Sequence, residues 1–407
     1  MEEWHECKLG DVIELKRGYD LPKHSRAAGS VPLVSSSGVS ARISEAKVAS
    51  PGVVTGRYGT IGQVFFIEEP FWPLNTTLYV RDFKGNDPRF IGYFLGRLDF
   101  MAYSDKAAVP GLNRNHLHQA IVRLPASKDE QAAIAAVLSA LDDKIELNRR
   151  LNETLEASAR ALFRDWFVDF GPTRAKAEGR PAYLAPDLWS LFPDRLGDDG
   201  VPEGWEWSTI GEEVEAVGGS TPSTKDVALW DGGIAWTTPK DLSDLGSPIL
   251  LDTARTITDA GLRTISSGLL PAGTVLMSSR APVGYLAIAS VALAVNQGYI
   301  AMKCTGRVSN WSAYLWAHEN MGAIISNANG STFQEISKKN FRPLPILVAD
   351  DATRSAFDSL VGPMFESITA NVIESRTLAA TRDALLPKLM SGDIRVSSAE
   401  MNVIASL

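Results

Sequence analysis

The chain has 407 residues, 45% of them hydrophobic and 22% charged, enough for more than one independently cored domain and ordinary for a soluble globular protein. A net charge of -8 excludes a generic nucleic-acid coat, whose grip comes from an excess of Lys and Arg. The longest apolar stretch, around 286–295, is interrupted by Ser290 and is too short to span a bilayer. Met1-Glu2-Glu3 lacks the basic and apolar regions of a signal peptide, and Cys7 and Cys304 read as free thiols, so no membrane association and a cytoplasmic location are expected.

Residues 1–127 carry short β-branched or aromatic runs at 12–15, 31–34, 53–55, 63–67 and 76–80, broken by Gly, Pro and Ser. This predicts a mixed α/β domain with small twisted sheets, and 90–98 and 114–120 read as short helices. From 129 to 166 the positions Ile134, Leu138, Leu141, Ile145, Asn148, Asn152, Leu155, Ala159, Leu162 and Trp166 keep a 4-3 alternation, the seam of a coiled coil. A helix of about 38 residues would reach roughly 57 Å at 1.5 Å per residue. That exceeds what the domain's own core needs, so it reads as a spacer. Residues 171–200 are rich in Pro, Gly, Arg and Asp but also hold Tyr183, Leu184, Leu188, Trp189, Leu191 and Phe192, which predicts a connector that packs.

The pattern then repeats. Trp4 with Leu9-Gly10-Asp11 is answered by Trp205 with Ile210-Gly211-Glu212, Asn75 by Asn296, and Leu124-Pro125 by Leu344-Pro345. Arg57 and Arg280 lie 223 residues apart, and so do Asn148 and Asn371. In the second long helix Phe357, Val361, Met364, Ile368, Asn371, Ser375, Leu378, Arg382, Leu385 and Leu389 continue the seam at the same offset. A polar residue at a seam position costs stability but fixes register, which favours the two helices packing on each other; packing on another subunit or on their own domains is the alternative. The expected division is a first domain at 1–127, its helix at 128–170, a linker at 171–200, a second domain at 201–347, its helix at 348–395 and a tail at 396–407. The second copy has about 22 more residues between its Trp and its Arg, in the region 220–261, where a recognition loop would differ between copies.

Catalytic signatures are missing: no phosphate-binding glycine loop, no dinucleotide fingerprint, no nucleophile elbow and no zinc-protease motif. The Asn/Asp-Pro-Pro-Tyr/Phe run of an amino-methyltransferase is missing as well. His116-Leu117-His118 would place two imidazoles on one face of a strand, but no third ligand is near, so no metal site is expected. Glu14-Leu15-Lys16, which resembles a nuclease E-x-K, reads better as a half-buried strand with a solvated face.

What remains is donor-rich and loop-borne. Two similar domains carried by two similar helices make a two-point reader of something long and repetitive, with duplex DNA the leading candidate. Arg57, Tyr58 and Thr60 sit on a glycine-bearing turn, and Ser278, Ser279 and Arg280 are their counterparts. An Arg fork pairs bidentately with guanine O6 and N7. Ser35, Ser36 and Ser37, with Thr237, Thr238 and Lys240, are short donors before a turn, suited to phosphate or base contacts. A third matched region offers Asn113, Arg114 and Asn115 in one copy and Asn329, Thr332, Gln334, Lys338 and Lys339 in the other. The first domain carries 15 Lys and Arg against 13 Asp and Glu, the second 10 against 13. Binding by phosphate neutralisation alone should therefore be weak, and a basic partner or well-placed base contacts would be needed.

The chain resembles the specificity subunits of Type I restriction-modification systems. The resemblance runs over almost the whole length and rests on Asp129-Glu130-Gln131, Leu162-Phe163-Arg164-Asp165-Trp166-Phe167-Val168-Asp169-Phe170, Pro202-Glu203-Gly204-Trp205 and the stretch from Leu385-Leu386-Pro387 to Arg395-Val396. It implies an α+β architecture with two target-recognition domains, each reading one half of a bipartite site in double-stranded DNA. It also implies an antiparallel coiled coil of the two helices in a pseudo-two-fold repeat, which sets the half-site spacing. Two modification subunits carrying S-adenosylmethionine would dock on it, and motor-nuclease restriction subunits using ATP and Mg would join them. The chain itself would be non-catalytic and bind no cofactor. The competing readings are a structural adaptor without DNA readout and a self-sufficient methyltransferase or nuclease.

Overall fold

The computed structural model describes residues 4–104, 111–243, 245–330 and 334–396. They form two compact units, Met1–Ile145 with Thr377–Leu407, and Glu146–Arg376, so each unit holds one strand-rich domain and parts of both long helices.

In the first unit Trp4–Lys8 pairs antiparallel with Ile121–Pro125, a two-stranded base that brings the ends of the domain together. Above it a four-stranded antiparallel sheet runs in the order Glu14–Arg17, Thr77–Asp82, Gly52–Gly56, Val64–Ile67. A three-stranded sheet follows, with Ala28–Ser35 between Gly38–Ile43 and the parallel Trp72–Pro73. The second unit repeats the plan. Glu206–Thr209 pairs with Pro345–Val348, a five-stranded sheet centres on Val275–Ser279, and a three-stranded sheet places Trp230–Thr237 between Arg255–Ile257 and the parallel Leu293–Val295. The extra length of the second copy thus supplies a strand rather than a loose loop. Residues 12–15, expected as a strand, split into the end of a short helix, Leu9–Val12, and the strand Glu14–Arg17. Ile13 is buried where the two meet.

The long helices are Lys128–Phe167 and Asp351–Ser391. Within the first unit Ile134 and Leu138 share a core with Leu385 and Leu389. Within the second, Ala159, Leu162 and Trp166 share one with Phe357, Val361 and Ile368. The early part of each helix meets the late part of the other, an antiparallel pairing in both units. The remaining seam positions, Leu141, Ile145, Leu155, Met364 and Leu378 among them, are half-buried. The polar seam positions are resolved by cross-helix bonds. Asn148 Nδ2 donates to Glu374 Oε2 at 2.7 Å and to Ser375 Oγ at 3.2 Å, Asn371 Nδ2 to Asn152 Oδ1 at 2.8 Å, and Arg382 to Asp142 at 2.6 Å.

Framework motifs find structural reasons. Gln131 is buried at the start of its helix, accepting from the Asp87 amide (3.1 Å) and donating to Asn86 Oδ1 (2.9 Å) and Pro125 O (3.0 Å). Arg354 takes the same step in the second helix, donating to Ala349 O at 2.9 Å. Trp166, Phe167 and Phe170 gather with Phe192, Trp205 and Phe357 at ring separations of 4.8–6.1 Å. The linker therefore packs, through helices Gly171–Ala177 and Pro186–Leu191. In the first unit the corresponding base residue, Trp4, lies against Gly392, where an added Cβ would stand 2.8 Å from the indole nitrogen.

Candidate nucleic-acid interface

Four backbone segments are stitched together at one edge of each domain. In the first unit the Arg57 amide donates to Thr76 O (2.8 Å), the Leu112 amide to Arg57 O (3.0 Å) and the Leu74 amide to Val34 O (2.8 Å). These bonds gather the Ser35–Ser37 turn, the Arg57 tip, the 74–77 turn and the 111–115 segment. In the second unit the Ser279 amide donates to Gly298 O (2.7 Å), the Ile336 amide to Ser279 O (3.0 Å) and the Asn296 amide to Thr237 O (3.1 Å), gathering the equivalent four. The closeness needs glycine. A Cβ on Gly56 would stand 1.9 Å from Thr60 O, and one on Gly219 1.7 Å from Val295 O. Leu112 and Ile336 anchor the last segments, and the helices that follow, Arg114–His118 and Lys338–Phe341, are capped by Asn113 and Ser337.

On the first edge the Arg57 guanidinium lies over the Tyr58 ring with its carbon 4.6 Å from the centroid, its Nε reaching Leu112 O at 3.4 Å. No carboxylate pairs with it among the described residues. Tyr58, Arg114 and Asn115 are exposed, while Ser36 and Thr60 are half-buried beside the tip. The Ser35 and Ser37 hydroxyls bond each other at 3.1 Å, and Asn113 Oδ1 accepts from the Asn115 amide at 2.9 Å, so Asn113 is spent on the cap.

The second edge departs further from expectation. Ser278, Ser279 and Thr237 are buried, which removes their side chains from the exposed candidates. Ser278 Oγ donates to Pro282 O and accepts from the Tyr285 amide, both at 2.8 Å, and shapes the hairpin. Thr237 Oγ1 bonds the Tyr299 hydroxyl at 3.0 Å, and Thr238 donates to Asp241 at 3.0 Å. Arg280 is not the free counterpart of Arg57, because Glu335 Oε2 stands 3.7 Å away on the neighbouring segment. Lys240, Asn329, Gln334, Lys338 and Lys339 are exposed, and Thr332 lies outside the described residues. The 74–77 and 295–298 turns were not among the predicted contacts, although the recurrence of Asn75 and Asn296 marked them. Gln297 there accepts from Thr221 at 2.8 Å.

Histidines and thiols fall outside these edges. His116 and His118 belong to a helix, not a strand, so a two-residue spacing turns them to different sides. His118 Nε2 accepts from the Leu15 amide at 3.0 Å, and burial lowers its pKa. Glu14 pairs with Arg81, the solvated-face role. Burial pushes the Cys304 thiol up to about 12, and both cysteines are free. Among the described residues no three His, Cys, Asp or Glu side chains gather as a metal site, and no helix is long and apolar enough to cross a membrane.

A family model for the Type I restriction modification DNA specificity domain matches residues 1–157 and 202–350, most of the chain and once per copy. The chain belongs to this family. It is similar to the Type I restriction enzyme HindI specificity subunit of Haemophilus influenzae, 26% identical over 351 residues, 72% of this chain and 73% of the relative. It is also similar to the MjaIX specificity subunit of Methanocaldococcus jannaschii, 38% identical over 149 residues, 36% of this chain and 34% of that one. In fold it matches the crystal structure of the Type I S subunit from M. genitalium with a TM-score of 0.62 and 16% identity, covering 95% of this chain and 96% of the other. The two Methylase_S-type regions coincide with the two strand-rich domains and reach into the first long helix, so this specificity-family chain carries its duplication at the level of both motif and fold.

Proposed function

We propose that the chain is the DNA-reading subunit of a Type I restriction-modification complex, each stitched edge reading one half of a bipartite site. The observation that carries this is the contrast within the duplication. Both copies build the same four-segment edge from matched backbone bonds, while the side chains they present differ: half-buried Arg57 with exposed Tyr58, Arg114 and Asn115 against exposed Lys240, Asn329, Gln334, Lys338 and Lys339. A shared frame with different donors suits two different half-site sequences. The paired helices would set the gap and dock two modification subunits. Those subunits would bring S-adenosylmethionine and most of the basic surface that this acidic chain lacks. Restriction subunits using ATP and Mg would complete the nuclease in the cytoplasm.

The test is selection on a random duplex library, with the chain alone and with its modification subunit, reading enrichment and methyl transfer. A split motif enriched only by the complex supports the reading. Methyl transfer by the chain alone would overturn it in favour of a self-sufficient methyltransferase. Absence of enrichment with both proteins present would leave an adaptor.

A further inference from the structure

The second domain contains an arginine built like Arg57, but not at the equivalent place. The Arg255 guanidinium carbon lies 3.5 Å from the Trp230 ring centroid and 5.8 Å from that of Trp236, and the two indoles meet edge to face at 5.0 Å. Both tryptophans are buried and fixed by their nitrogens: Trp230 Nε1 donates to Ser223 O (3.0 Å) and Trp236 Nε1 to Ser220 O (3.2 Å). Arg255 is itself exposed. No carboxylate pairs with it among the described residues, and the nearby Asp252 is taken by Arg376 at 2.5 Å. A planar cation laid on an aromatic face keeps its N–H edge free and loses little freedom when it meets an acceptor.

The platform is tied to the recognition edge. The segment it pins, 220–223, includes Thr221, whose hydroxyl donates to Gln297, and the Gln297 turn is bonded to the Arg280 strand through Gly298. Trp230, Trp236 and Arg255 fall within 220–261, the region in which the second copy is about 22 residues longer than the first. In the first copy the sequence-matched arginine is aromatic-supported and without an acidic partner. In the second, the sequence-matched Arg280 faces Glu335, and the unopposed, aromatic-supported arginine is Arg255. From this we infer that Arg255 is a DNA contact of the second half-site, donating its guanidinium edge to phosphate or guanine oxygens and taking the part that Arg57 takes in the first. The inference rests on the DNA-reading function proposed above.

The experiment uses the complex of full-length chain and modification subunit on duplexes carrying its selected site, comparing wild type with Arg255→Ala and Arg255→Met. The Met variant keeps an unbranched apolar stem over Trp230 and removes only the charged fork. Expected for both is weaker binding, on the order of ten-fold, with the first half-site profile unchanged. A guanine contact would relax one position of the second half-site. A phosphate contact would leave the profile intact and reduce the salt slope by about 1. Wild-type binding matched by both variants in affinity, salt slope and profile would overturn the inference while leaving the proposed function standing. A wild-type complex that selects no site would instead sink the function itself. If Arg255→Ala lowers the melting temperature, the Met variant decides.

Discussion

Asn371 donates its side-chain amide to Asn152 across the helix pair at 2.8 Å, while its own backbone carbonyl accepts from Asn148 at 3.4 Å. Two polar seam residues, each at the same step of its own helix, thus close one local network, with Asn148 and Asn152 both buried. Removing one partner from such a network strands the other. Asn371→Ala should destabilise the fold by about 1–3 kcal/mol, the cost of an unsatisfied buried polar group. A double-mutant cycle with Asn152→Ala, read by denaturant unfolding, should return a clear coupling energy. Zero coupling would show that the bond contributes no specificity to the pairing.

The two matched arginines should not behave alike. Arg57→Ala should cost about 1–3 kcal/mol at the first half-site, the value of a lost bidentate contact. Arg280→Ala should cost less, because Glu335 already competes for its guanidinium. Half-site enrichment by the complex with its modification subunit measures both. Equal losses would mean that Glu335 swings away on DNA, and no loss at either would remove both residues from the interface.

Helix length offers a separate handle. Inserting one seven-residue repeat into both long helices keeps every seam residue on its face. The selected gap should lengthen while both half-site sequences stay the same. An unchanged gap would show that something other than the helices measures it.

His118 gives the first domain a pH dependence of known sign. Its folded pKa is lowered by burial, so the unfolded chain binds the extra proton more readily. The stabilisation is complete above the unfolded histidine value of about 6.5 and is lost as pH falls toward the folded pKa. Protonation would also end the bond that Nε2 accepts from the Leu15 amide. Thermal melts should decline below about pH 6.5 in wild type and decline less in His118→Gln. Parallel pH curves would assign the loss to other groups.

The sequence made the frame legible because the frame obeys periodic rules. Seam spacing predicted a long helix in each copy, at 128–170 and 348–395 against the observed Lys128–Phe167 and Asp351–Ser391, and the constant offset of 223 placed Asn148 and Asn371 at one step, where Asn148 Nδ2 donates to Asn371 O. Gln131 and Arg354 sit at that same offset and both donate to a backbone carbonyl just before their helix, Pro125 O and Ala349 O, a likeness that their different chemistries concealed. The exposed edge was less legible. Whether a Ser or Thr in a turn faces solvent depends on hairpin shape: Ser278 turned inward to bond Pro282 and Tyr285, which composition cannot reveal. Arg255 was invisible for a related reason, since its platform unites residues from two strands that pair only in the folded domain.

Trp4 rests against Gly392, and Val396 packs on the same core, so the fold returns to where it started. Within the first unit the described end of the second long helix therefore lies beside the first described strand. New ends opened in the exposed segment 178–182, with a short tether from Val396 to Trp4, would keep every residue that lines either core. Such a permuted chain should fold to the same two units, with circular dichroism and a thermal melt matching those of the original order.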